Sequence, residues 1–87
     1  MDKPIQEFLV NKQTSPNKLA AAIVGVTEKD GEVFCLASGS EALECLLYAL
    51  CVANNVEGVA LVSTFNFSGE KADNWPFRVK ALVKRGR

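Results

Sequence analysis

The stretch Thr14-Ser15-Pro16-Asn17-Lys18-Leu19-Ala20-Ala21-Ala22-Ile23-Val24-Gly25-Val26, followed after Gly31 by Glu32-Val33-Phe34-Cys35-Leu36-Ala37-Ser38-Gly39-Ser40, decides the fold. Ser15 is a good N-cap, and Pro16 fits the first helical position, where its fixed φ is already helical and its missing N–H costs nothing. Leu19, Ala22, Ile23 and Val26 then recur at i, i+3, i+4 and i+7, the stripe of an amphipathic helix. The alanines and Gly25 keep that face shallow, so the helix can lie close to a sheet. Asp30-Gly31 ends it, with Gly31 as the C-cap residue. Val33 to Ala37 follows as a nearly continuous apolar strand, the pattern of a strand central in a sheet or covered on both faces.

Working outward, Ile5 to Val10 reads as a first strand with Phe8-Leu9-Val10 as its buried part. A second helix runs from about Ser40 to Asn55, and Ser38-x-x-Glu41 spells a capping box at its start. Its polar members Glu41, Glu44, Tyr48 and Asn55 fall within about 60° of arc, while apolar residues cover about 220° of the rest. One sheet hides a narrower stripe. The excess predicts a second partner, most simply a symmetry mate meeting Leu46, Leu47 and Leu50. After Gly58, Val59 to Phe67 reads as a third strand and 68–74 as a polar hairpin tip. Beyond Pro76, Phe77, Val79, Ala81 and Val83 alternate with Arg78, Lys80, Leu82 and Lys84, so the last strand has an apolar face and a largely basic one. The order is β-α-β-α-β-β. Right-handed crossovers put both helices on one face of a four-stranded mixed sheet, an α+β two-layer sandwich forming one domain over residues 1–87.

Composition bounds the function. The chain has 87 residues, 48% of them hydrophobic and 23% charged, which suits one small globular domain. Ten basic residues balance ten acidic ones, so no global positive field attracts nucleic acid and any binding must use a local patch. The polar start Met1-Asp2-Lys3-Pro4 carries no secretory pattern and the longest apolar run, Cys45 to Ala53, is too short to span a bilayer. Three cysteines without a C-x-x-C pair fit reduced thiols, so a cytoplasmic protein without membrane attachment is expected. Histidine is absent, which removes the commonest general base and metal ligand. Cys45 and Cys51 read as small buried hydrophobes, and Glu41 and Glu44 lie on a solvated helix face. A non-enzymatic protein with no cofactor, metal or small-molecule substrate is the expectation.

Three groups of residues are candidates for contact with an anionic partner. Ser38-Gly39-Ser40 can present backbone N–H groups and hydroxyls to a phosphate at a helix start, or simply form the capping box. Lys12, Asn17 and Lys18 flank the start of the first helix, where a cation opposes the helix dipole unless an anion is near. Arg78, Lys80 and Lys84, with Arg85 and Arg87 beyond, are the one basic cluster; such a face either stays solvated, guarding the sheet, or touches phosphates. Trp75, Phe65 or Phe67 beside it offer stacking surface of the single-strand-binding kind, or hairpin packing in the case of Trp75.

Pro16-Asn17-x-Leu19-Ala20-x-Ala22-Ile23-x-Gly25-Val26, then Gly31, resembles the first helix of the stage V sporulation protein S family, a bacterial branch of the Alba-like group. The likeness continues through Ala37, Gly39, Ala42-Leu43, Ala49 and Ala53, returns at Gly58-Val59-x-Leu61-Val62 and in the last strand, and spans roughly residues 8–84. The resemblance implies the same β-α-β-α-β-β order, and a small dimeric protein that binds DNA or RNA in sporulation or developmental control. Alba-type proteins contact nucleic acid through a lysine-rich loop before the first helix, arginines around the Gly after the second strand, and a basic hairpin between the last two strands. Here those places hold Thr14-Ser15 with Lys12 and Lys18 nearby, Ser38 and Ser40 around Gly39, and Glu70, Lys71 and Asp73. On this reading the nucleic-acid contacts are Lys12, Asn17, Lys18, Ser38, Gly39, Ser40, Lys71, Arg78 and Lys80. The other class the residues allow is a dimeric protein-interaction module on the same scaffold.

Overall fold

A computed structural model describes residues 4–68 and 78–86. The element order is β1 Glu7–Val10, α1 Pro16–Asp30, β2 Glu32–Ser38, α2 Ser40–Asn54, β3 Leu61–Ser68 and β4 Arg78–Arg85. The strands form one mixed sheet in the order β1-β2-β4-β3, with β1 parallel to β2 and β4 antiparallel to both neighbours. Both helices pack against this sheet and against each other, as the α+β reading predicts. Lys71, Trp75 and positions 69–74 of the expected hairpin tip lie outside the described residues, and Ser68, expected in that tip, is the last residue of β3.

Local chemistry sets the ends of α1. Ser15 caps it, its hydroxyl accepting from the Lys18 N–H at 3.4 Å, and Pro16 is its first residue. Gly31 closes it in the left-handed region at φ 87°, its N–H donating to the Thr27 carbonyl. A side chain there would strain the backbone, which is why glycine holds the position. The inward stripe is rotated from the predicted one: Leu19, Ala20, Ile23 and Thr27 are buried, while Ala22 is exposed and Val26 half-buried. Thr27 can be buried because its Oγ1 donates to the Ile23 carbonyl at 2.7 Å and accepts from Arg85 Nε at 3.0 Å. A buried hydroxyl with partners on both counts carries no desolvation deficit.

The core lies between sheet and helices. Val33, Cys35 and Ala37 of β2 and Val79, Ala81 and Val83 of β4 point into it, meeting Ile23 of α1 and Ala42, Leu46, Ala49 and Ala53 of α2. Small residues on α2 let it approach the sheet closely. The excess apolar arc of α2 is met within the chain, because Cys45 and Val52 pack beside the core on one flank and Leu43 on the other. Leu46 is wholly buried and Leu50 nearly so, leaving Leu47, 44% exposed, as the outward member of the expected dimer triplet. Cys51 is exposed and Cys45 half-buried, so of the three thiols Cys35 alone is a fully buried small hydrophobe. Burial pushes the Cys35 thiol up to about 12, since a thiolate there would lose its hydration.

The other sheet face has no helix over it among the described residues. Strand pairing sets its rows: Leu9 beside Leu36, Lys80 and Asn66; Glu7 beside Phe34, Leu82 and Thr64; Ser38 beside Arg78.

Candidate nucleic-acid interface

The second helix begins without a side-chain cap. Gly39, buried at φ 96° and ψ 166°, is its N-cap, and Ser38 stays in the β-ladder as the last residue of β2. The expected capping box is therefore not formed, because Ser38 is held in register with Arg78 of β4 rather than folded back over the helix start. The φ/ψ of Gly39 belongs to the region open almost only to glycine, so this residue turns the chain from strand to helix. The first-turn N–H groups are left without a side-chain acceptor, and Glu41 is the acid in that turn.

β4 brings a basic residue to the open face beside Ser38. Arg78 pairs directly with Ser38, and the two line a groove of about 350 Å³ with Leu9, Val10, Asn11 and Leu36. A second groove of about 430 Å³, sharing Leu36 and Arg78, adds Asn66, Phe67 and Lys80. Lys80 and Lys84 follow Arg78 along β4 on the same uncovered face, all three exposed. Lys80 Nζ sits 4.3 Å above the Phe34 ring and 3.6 Å from Glu7, so part of its charge is already engaged. Both ends of that ion pair are half exposed and water-screened, so it contributes little to stability.

Other candidates fall elsewhere. Lys12 borders a separate cleft of about 560 Å³ with Gln13, Thr14, Pro16, Glu41, Glu44, Cys45 and Tyr48. The two glutamates make that cleft a poor place for a phosphate. Asn11 holds the turn that carries Lys12, its Oδ1 accepting from the Gln13 N–H at 2.8 Å and its carbonyl from the Thr14 N–H at 3.1 Å. Asn17 and Lys18 are exposed on the first turn of α1 and line none of the grooves beside Ser38. Ser40 is exposed as the first residue of α2. Lys71 lies outside the described residues.

Arg85 does not belong to the basic face. Its Nε and Nη2 donate to Thr27 Oγ1 and the Val24 carbonyl, each at 3.0 Å, which ties β4 to α1. Phe65 pairs with Ala81 on the helix-covered side, whereas Phe67, paired with Val79 and 69% exposed, lines the groove that Arg78 and Lys80 share. Among the described residues, Phe34 is an aromatic ring that does lie on the open face; the sequence reading passed over it, and its alternation with the buried Val33 and Cys35 was the available signal.

Among the described residues there is no group of three or more His, Cys, Asp or Glu able to hold a metal ion, and no helix long and apolar enough to cross a membrane. Comparison with protein-family models gives no match, and comparison with curated proteins gives none either.

Proposed function

We propose that this domain is a non-enzymatic, cytoplasmic nucleic-acid-binding regulator of the stage V sporulation protein S and Alba-like type, gripping phosphates modestly through one sheet face. The observation that carries the proposal is the pairing of Arg78 with Ser38 at the uncapped, Gly39-centred start of α2. An exposed guanidinium fork on the open face of the sheet suits a phosphate oxygen pair. Lys80 and Lys84 extend the positive line along β4, and Phe34 and Leu36 give the same face an apolar floor. With three cations and a neutral chain, binding is weak, indifferent to sequence and steeply salt-dependent. The test is anisotropy titration of labelled single-stranded DNA, duplex DNA and RNA with the wild type and Arg78→Ala. The variant weakens binding on every sequence alike and lowers the salt slope by about one. Unchanged affinity and slope in Arg78→Ala refute this placement.

One observation favours the other class. Leu9, 73% exposed, and Val62, 59% exposed, lie on the same open face as Leu36, Leu82 and Phe34, and so much uncovered apolar surface suits a protein partner. A protein-interaction module predicts no saturable nucleic-acid binding even at low salt.

A further inference from the structure

The backbone of β3 shows how a second copy would dock. In an antiparallel ladder, alternate residues exchange both hydrogen bonds with the neighbour, and those between them point their N–H and C=O groups away. The Gly86 N–H donates to the Ala60 carbonyl at 2.7 Å, and the β3–β4 register continues that pair. Val62, Thr64 and Asn66 therefore bond to β4, and Leu61, Ser63, Phe65 and Phe67 face outward along the sheet edge. The outward Leu61 N–H is taken by the Asn54 side chain at 2.9 Å, whereas no hydrogen bond among the described residues reaches Ser63, Phe65 or Phe67.

Among the described residues this edge lacks the usual guards. Leu61–Ser68 contains no charge and no proline, and all eight of its residues keep register with β4 without a bulge. The opposite edge, β1, is only four residues long, carries Glu7 and is preceded by Pro4. On the unguarded edge Phe67 stands 69% exposed.

We infer that β3 is a homodimer edge, pairing antiparallel with β3 of a second copy about a two-fold axis at Phe65 to give one eight-stranded sheet. The occupant is a second copy because the pattern is its own complement under that axis. Phe65 meets Phe65, and Ser63 meets Phe67 of the second copy, which makes three rungs of two bonds each. The Asn54 contact at Leu61 excludes the shifted registers centred on Ser63 or Thr64, which would need that N–H. No charge on the strand repels a copy of itself, and a chain of zero net charge adds no general repulsion. The axis keeps the helices of both copies on one side and joins the two open faces into a single surface. The inference stands whether or not that surface binds nucleic acid.

The test is sedimentation equilibrium of the wild type over a wide concentration range, beside Phe67→Lys, Ser63→Pro and Leu47→Glu. The Ser63 N–H makes no bond to β4, so proline there blocks the edge while sparing the internal ladder. The wild type is dimeric, both edge variants raise the dimer dissociation constant about tenfold or more with an unchanged circular dichroism spectrum, and Leu47→Glu stays dimeric. Amide exchange supplies a readout independent of variant folding: the Ser63, Phe65 and Phe67 amides slow as concentration rises through the dimer range. A monomeric wild type overturns the inference. So does a dimer that Leu47→Glu disrupts and the edge variants do not, or one whose three amides exchange at a concentration-independent rate.

Discussion

Two arginines near opposite ends of β4 have opposite roles, and replacing each with methionine separates them. Arg85 spends its guanidinium inside the fold, donating at 3.0 Å to Thr27 Oγ1 and at 3.0 Å to the Val24 carbonyl. Hydrogen bonds from a charged donor contribute about 1.5–3 kcal/mol each. The sum is discounted because Arg85 is half-buried and water replaces part of what is lost. Thr27 keeps its bond to the Ile23 carbonyl, so no donor is orphaned, and methionine keeps much of the arginine stem's packing. The net loss is about 2 kcal/mol, which in a domain of this size lowers Tm by about 8–16 °C. Arg78 is exposed and has no ion-pair partner among the described residues, so Arg78→Met changes stability by no more than about 0.5 kcal/mol. Thermal unfolding followed by circular dichroism, paired with nucleic-acid titration well below either Tm, gives the full comparison. Arg85→Met melts early and binds as the wild type does; Arg78→Met melts normally and binds weakly. An unchanged Tm for Arg85→Met, or a loss of affinity in it matching that of Arg78→Met, refutes the division of roles.

Leu46→Ala costs about 2–5 kcal/mol in urea unfolding, because the wholly buried side chain leaves a cavity between α2 and the sheet. Leu47→Ala, one residue on and facing out, changes stability by about 0.5 kcal/mol or less. Equal losses for the two would mean that α2 is rotated from the orientation described. Cys35 makes stability fall at high pH. The unfolded thiol ionises near 9, while the buried one keeps its proton to about 12, so from pH 9 upward the unfolded state is favoured by losing a proton that the native state retains. The urea midpoint of the wild type therefore drops between pH 8 and pH 10 by more than that of Cys35→Ala; equal drops would mean the thiol is not desolvated. With a disulfide reagent at pH 8, Cys51 reacts at once and Cys35 only on unfolding.

Features encoded within a few residues were legible in the sequence. The Ser15-Pro16 start and Gly31 end of α1 depend on local chemistry, and the alternation of β4 carries its own face assignment. What was not legible depends on contacts between distant residues. Thr27 turns inward in place of Val26 because Arg85 reaches it from another element, and no helical periodicity contains that partner. Ser38 looked like a cap because its ladder partner, Arg78, lies forty residues along the chain. That same pairing puts a cation on the open face beside Ser38, where the local sequence has none. Lys12 looked like part of an anion site until the packing of α2 set Glu41 and Glu44 in the same cleft. The apolar excess of α2 was real, but α1 and the sheet absorb most of it; the unguarded edge lies on β3, where no composition signal beyond the missing charges marks it.

The most direct test of the central claim is a titration of the wild-type protein against labelled single-stranded DNA, duplex DNA and RNA at low and near-physiological salt. The account predicts saturable binding to at least one of them, weakening steeply as salt rises with a slope of about two to three phosphates. Absence of binding at low salt would contradict it and leave the open face of β2 and β4 as a surface for a protein partner.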